Sequence, residues 1–215
     1  MDSRKRLVLA STVGALLFSV GYLLVLVIPG GGTTAEADFT AFYVGRDSFF
    51  DVFLLFLALV GGAWALVWFF TELSARIPES TLRRVGYAAS LIGAAGLSIG
   101  GALLFAPVGV QMNSAGSAFV GSPIAHTLAQ AGLGTILVAG MYSFALAVGL
   151  FSIALRRSGL VPSWLAIAGI VVAVLMLGSY IWVPGYLLPV WMVVLGVVGV
   201  RGHEAFPSDV QGRQP

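Results

Sequence analysis

The chain has 215 residues, 59% hydrophobic and 9% charged, against about 25% charged in an ordinary soluble domain. A water-soluble fold this apolar could not cover its own surface with polar groups, so lipid is the expected solvent. A net charge of +2 with no basic stripe among aromatics is too small to imply a nucleic-acid partner, and the absence of cysteine excludes disulfides and thiolate chemistry.

A membrane span takes roughly 20 mostly apolar residues, and six such runs follow in order. Behind the basic cluster Arg4, Lys5 and Arg6, the first predicted span runs over 7–29. "MDSRKR" with Ala35-Glu36-Ala37 beyond it has the outline of a cleaved signal, but the apolar run exceeds a signal's core of about 7 to 15 residues, so a retained span is expected. The loop that follows holds Glu36, Asp38, Arg46, Asp47 and Asp51. Span two, 49–71, is crowded with Phe49, Phe50, Phe53, Phe56, Trp64 and Trp68, residues that suit lipid contact and packing. A turn with Arg76, Arg83 and Arg84 leads to span three, 85–108.

Span three carries "GAAGLSIGG". Gly93, Gly96 and Gly100, extended by Ser90 and Gly86, form a small-residue stripe for close helix approach, within the bundle or between copies of the chain. A polar "QMNSAGS" loop with Gln111 and Asn113 precedes Ser122, an N-cap candidate, and Pro123, a first helical residue. Span four, 125–155, ends at Arg156 and Arg157. If that helix is continuous, His126 lies about 45 Å from Arg156, beyond the roughly 30 Å of hydrocarbon. Gly159 is placed to end the helix and Pro162 to open span five, 162–183. Pro184-Gly185 breaks the chain before span six, 186–200. At about 22 Å that last run is short and must lean on its flanks, thin the bilayer or be partly re-entrant. Residues 202–215 read as a disordered tail.

Runs such as "AIAGIVVAVLMLG" are apolar on every side, which suits helices and not the alternating strands of a barrel. The predicted class is therefore all-α, a polytopic bundle of six spans. Ten basic residues fall in the termini and the second and fourth loops, and only Arg46 falls elsewhere. The positive-inside rule then predicts both termini cytoplasmic. Arginine supplies all the basic residues except Lys5, a bias that suggests a GC-rich bacterial genome and hence the bacterial inner membrane.

No Asp, Glu, Lys or Arg lies between Val85 and Leu155 or between Ser158 and Val200. Asp51 and Glu72 sit at opposite ends of span two. This argues against a transporter built on intramembrane carboxylates. Lys5 is outside every span, which argues against retinal attachment, and His126 and His203 cannot clamp a haem across helices. No cofactor is expected. No nucleophile elbow or Walker loop is present, and no catalytic residue is assigned. One outward-facing candidate site gathers Glu36, Asp38, Arg46, Asp47, Asp51 and His126, with Gln111 and Asn113 nearby. Carboxylate with imidazole is acceptable metal chemistry, though no metal-ligand spacing accompanies it, and the alternative is a hydrated acidic loop. Arg83, Arg84, Arg156 and Arg157 are expected to meet anionic lipid headgroups.

"RRSGLVPSWLAIAGIVVAVLMLG", followed by "PVWMVVLGVVGVRG", resembles the C-terminal half of a bacterial family of six-span membrane proteins known as a domain of unknown function. "RRVGYAASLIGAAGLS" resembles the start of that family's third span. The resemblance covers about half the chain and implies topology, with no catalytic residue to carry over. The functional expectation is a non-enzymatic membrane protein that binds or senses a lipid or a membrane-protein partner, a second copy of itself included. The alternative is a small transporter for an uncharged or hydrophobic solute, and a weaker third reading is an enzyme at the outer face.

Overall fold

A computed structural model describes residues 3–27, 48–114, 122–178 and 183–198, and no strand occurs among the described residues. The elements are α1 (Ser3–Val27), α2 (Ser48–Ser74), α3 (Thr81–Ser114) and α4 (Pro123–Thr135), then a π-helical segment (Ile136–Met141), α5 (Tyr142–Ser158), α6 (Ser163–Met176), a 3-10 turn (Val183–Tyr186) and α7 (Leu187–Val198). Helix α4, the π segment and α5 form one continuous rod. An all-helical solution follows from the composition, because a helix satisfies its backbone groups internally where no water is present.

Each helix packs on its chain neighbours, and α7 returns to α1, so the helices close in a ring. Neighbours run antiparallel. Gly14 lies against Ala65 and Gly21 against Ala58 along α1 and α2, while Ser11 meets Gly196 and Gly14 meets Met192 along α1 and α7, and Tyr22 meets Gly185 of the 3-10 turn. Along α3 and the rod, Gly86 faces Leu150, Gly93 faces Phe144 and Gly100 faces Ile136. One end of the bundle therefore carries the start of α1, the α2–α3 turn and the α5–α6 turn. Every described Lys and Arg belongs to these segments, which makes this the arginine end of the bundle.

The core is aromatic. Phe70 of α2 stacks on Phe144 (6.0 Å between centroids, 13° between planes) and on Phe151 (5.5 Å, 19°) of α5. Phe69 meets Trp191 of α7 edge-on at 6.1 Å. Such pairs each add about 0.5–1.5 kcal/mol beyond the area they bury. Of the span-two aromatics, Phe50 and Trp64 face outward, whereas Phe53 and Phe56 pack on Phe105 of α3.

Four helical stretches are long and apolar enough to cross a membrane: Lys5–Val25, Phe56–Ser74, Thr81–Val110 and Pro123–Ser158. Helices α6 and α7 are apolar but shorter. The run predicted as span five extends to Val183, yet α6 closes at Met176. There the Leu177 and Gly178 amides donate to the carbonyls of Val174 (3.2 Å) and Leu175 (2.9 Å), a tightening that ends the helix. Helix α6 spans about 21 Å and α7 about 18 Å at 1.5 Å per residue. Span three is longer than predicted. It continues past Pro107 to Ser114, so Gln111 and Asn113 stand on helical backbone and not in a loop. A proline forfeits a single amide donor, which membrane helices tolerate.

Helix ends follow local chemistry. The Ser122 hydroxyl accepts from the Ala125 amide (3.3 Å), and Pro123 opens α4. Gly159 ends α5 with φ 65°. Its amide donates to Arg156 (3.2 Å) and that of Leu160 to Leu155 (3.3 Å), both leucines being buried. This is a left-handed closing turn with its hydrophobic contact. Pro162 takes the position just before α6, one residue outside the helix it was predicted to open.

Candidate functional site

The arginine end is built from two turns. At the first, α2 runs out through Ala75, Arg76 and Ile77, whose amides donate to Thr71, Leu73 and Ser74 carbonyls at 3.0–3.2 Å. Ser80 caps α3, its hydroxyl accepting from the Arg83 amide (3.3 Å). The arginines of this turn are committed to it. Arg76 donates to the Glu72 carbonyl (2.7 Å) and pairs with the Glu72 carboxylate at 3.7 Å. Arg83 donates through Nε to Ser74 Oγ (3.0 Å) and through a terminal nitrogen to the Ile77 carbonyl (3.0 Å). Arg84 pairs with Glu79 at 3.5 Å, and both side chains are more than 70% exposed. Glu72 and Glu79 thus offset positive charge at this turn.

The second turn, Arg156 to Pro162, has no acid. Arg156 and Arg157 are exposed, and among the described residues neither forms an ion pair. Between the two turns lies a groove of about 450 Å³, lined by Ile77, Pro78, Ser80, Thr81, Leu82, Ala154, Arg157 and Ser158. Arg157 is the one charged residue in its lining. The Ser158 hydroxyl donates to Ala154 (2.9 Å) or Leu155 (3.2 Å), whereas Ser80 Oγ accepts from an amide and keeps its own hydrogen to give. Ile77, Leu82 and Ala154 supply an apolar wall. A guanidinium fork, hydroxyl donors and an apolar wall together can hold an amphiphile with an anionic head.

Sequence reasoning named Arg157 but not Ser80, Thr81 or Ser158. The "PESTLRR" stretch carries a cap signal at Ser80. Nothing local places it opposite Arg157.

The glycine stripe of α3 faces the rod. A Cβ on Gly96 would lie 2.5 Å from the Gly140 amide nitrogen and 2.7 Å from the Ala139 carbonyl carbon. One on Gly100 would lie 2.5 Å from Ile136 Cγ1 and 2.7 Å from the Gly132 carbonyl oxygen, and one on Gly93 would touch the Phe144 ring at 3.0 Å. The stripe is occupied within this chain.

At the opposite end, Glu36, Asp38, Arg46 and Asp47 lie outside the described residues. Asp51 belongs to the first turn of α2 and His126 to the first turn of α4. His126 is half-buried, with its Nε2 3.3 Å from Gln130 Nε2 on the next turn. Among the described residues no three His, Cys, Asp or Glu side chains gather to hold a metal.

Sequence reasoning also passed over a polar node inside the bundle. Ser152 Oγ of α5 and Trp191 Nε1 of α7 both crowd the Cα hydrogens of Gly169 on α6, where a Cβ would collide with them. Both atoms, and the Tyr186 hydroxyl, are buried without a hydrogen-bond partner among the described residues. No family model, curated protein or solved structure matches this chain.

Proposed function

We propose that this chain is a multi-pass protein of the bacterial inner membrane with six spans and cytoplasmic termini, and that it binds lipid without catalysing a reaction. The positive-inside rule supports the orientation, because every described Lys and Arg is at one end of the bundle. The observation that carries the reading is the groove between the α2–α3 turn and the end of α5, open at that end and lined by both apolar and polar groups. With the arginine end cytoplasmic, the groove lies at the headgroup level of the inner leaflet. The glycine stripe favours this reading over self-association through α3, since the rod already fills it.

Native mass spectrometry of protein extracted in mild detergent tests the reading. Wild type is expected to retain lipid, and Thr81→Trp, which fills the groove from an exposed position, to lose it. Equal retention by both overturns the groove as the binding place.

A further inference from the structure

Five arginines of the cytoplasmic turns carry charge that an anionic membrane would attract, but their side chains are not equivalent, and Arg76 is paired with Glu72. Arg83 gives its donors to Ser74 and Ile77, and Arg84 leans on Glu79. Arg156 and Arg157 remain without an acid partner among the described residues, and only Arg157 lines the groove. No carboxylate lines it to repel an anion. The far wall holds Ser80 and Thr81 with Ile77 and Leu82 beside them, and Ala154 adds apolar surface on the side of Arg157.

We infer that the groove is a headgroup site selective for an anionic phospholipid, with Arg157 bound to the two non-bridging phosphate oxygens and the Ser80 and Thr81 hydroxyls donating to the same oxygens. A planar guanidinium matches two phosphate oxygens at once, which gives it geometric preference as well as charge. The apolar wall selects a lipid over free phosphate, because it covers the glycerol and first acyl carbons that inorganic phosphate lacks. Arg156 is equally exposed but does not line the groove, so the wall can act on Arg157 alone. This inference rests on the groove being a lipid site and adds the chemistry of the headgroup and the residue that reads it.

The experiment offers the full-length protein in mild detergent an equimolar mixture of phosphatidylglycerol and phosphatidylcholine and reads bound lipid by native mass spectrometry. Wild type is expected to favour the anionic lipid about five-fold or more, the equivalent of about 1 kcal/mol for one basic charge near a membrane surface. Arg157→Gln removes the preference, and Arg156→Gln, with the same loss of net charge one residue away, keeps it. Millimolar inorganic phosphate leaves the lipid bound. If Arg157→Gln and Arg156→Gln lower the preference equally, general charge attraction explains it and the inference falls. Displacement by phosphate also overturns it, since the apolar wall would then contribute nothing. Lipid retained by wild type without preference removes the headgroup assignment and leaves the lipid groove intact, whereas no retained lipid removes both. Should Arg157→Gln not purify, Thr81→Val takes its place: a reduced preference supports the site and an unchanged one overturns it.

Discussion

Gly96 and Gly61 are both helical glycines, and a sequence cannot tell them apart. Around Gly96 the nearest atoms to an added Cβ are backbone at 2.5 and 2.7 Å, so a helix must move to admit it. Around Gly61 and Gly134 nothing lies within 4 Å. Gly96→Ala is therefore expected to cost about 1–3 kcal/mol by overpacking. Gly61→Ala and Gly134→Ala should instead gain up to about 1 kcal/mol by removing backbone freedom from a helix interior. Thermal unfolding in detergent checks all three. A similar contrast separates adjacent arginines. Arg83→Gln strips two hydrogen bonds from the end of α2, and a loss of about 1–3 kcal/mol is expected. Arg84→Gln breaks only an exposed pair and should leave the midpoint unchanged.

At the scale of the element, the rod is the segment that departs most from a regular helix. Gly132, Ile136, Gly140 and Phe144 meet α3 at intervals of four residues. An α-helix has 3.6 residues per turn, so positions four apart drift steadily around its surface. The π segment at Ile136–Met141 winds more slowly and cancels that drift, which keeps Gly140 on Gly96 and Phe144 on Gly93. Inserting an alanine after Val138, an outward-facing residue of this segment, turns everything beyond it by about 100° and is expected to swing Phe144 off its stack with Phe70. The predicted loss is on the order of 3 kcal/mol, comparable with emptying a buried Phe site. Val138→Ala should have little effect on the same unfolding curve. Where α5 ends, Gly159→Ala places a Cβ at φ 65° and is expected to cost about 1–2 kcal/mol.

For the whole molecule the testable quantity is orientation. The chain contains no cysteine, so single-cysteine variants can be labelled without first clearing a background. Cysteine at Glu79 or Gly159 should react with a membrane-impermeant reagent only after permeabilisation. Cysteine at Ser122 should react from outside intact cells. The reverse pattern would move the groove to the opposite leaflet.

Helical class and the gathering of the described basic residues at one end were legible in the sequence, because they depend on sums along the chain: apolar length, and charge counted by loop. The cap at Ser122 and the break at Gly159 were legible because each depends on a few neighbouring residues. The end of α6 was not, since nothing in the apolar run from Pro162 to Val183 separates Met176 from the residues after it. Nor was the reach of α3 past Pro107, which depends on how the helix is supported and not on the proline itself. The outer charges Glu36, Asp38, Arg46 and Asp47 lie outside the described residues, so their relation to His126 rests on sequence alone. What only the tertiary structure decided is pairwise: Gly96 against Gly140, Ser152 beside Trp191, and Arg157 across a groove from Ser80 and Thr81. Lipid exposes the same apolar face to every helix, so hydropathy carries no information about which neighbour each helix meets. That choice is made by close packing of small residues against backbone, a property of two surfaces together and of neither sequence alone.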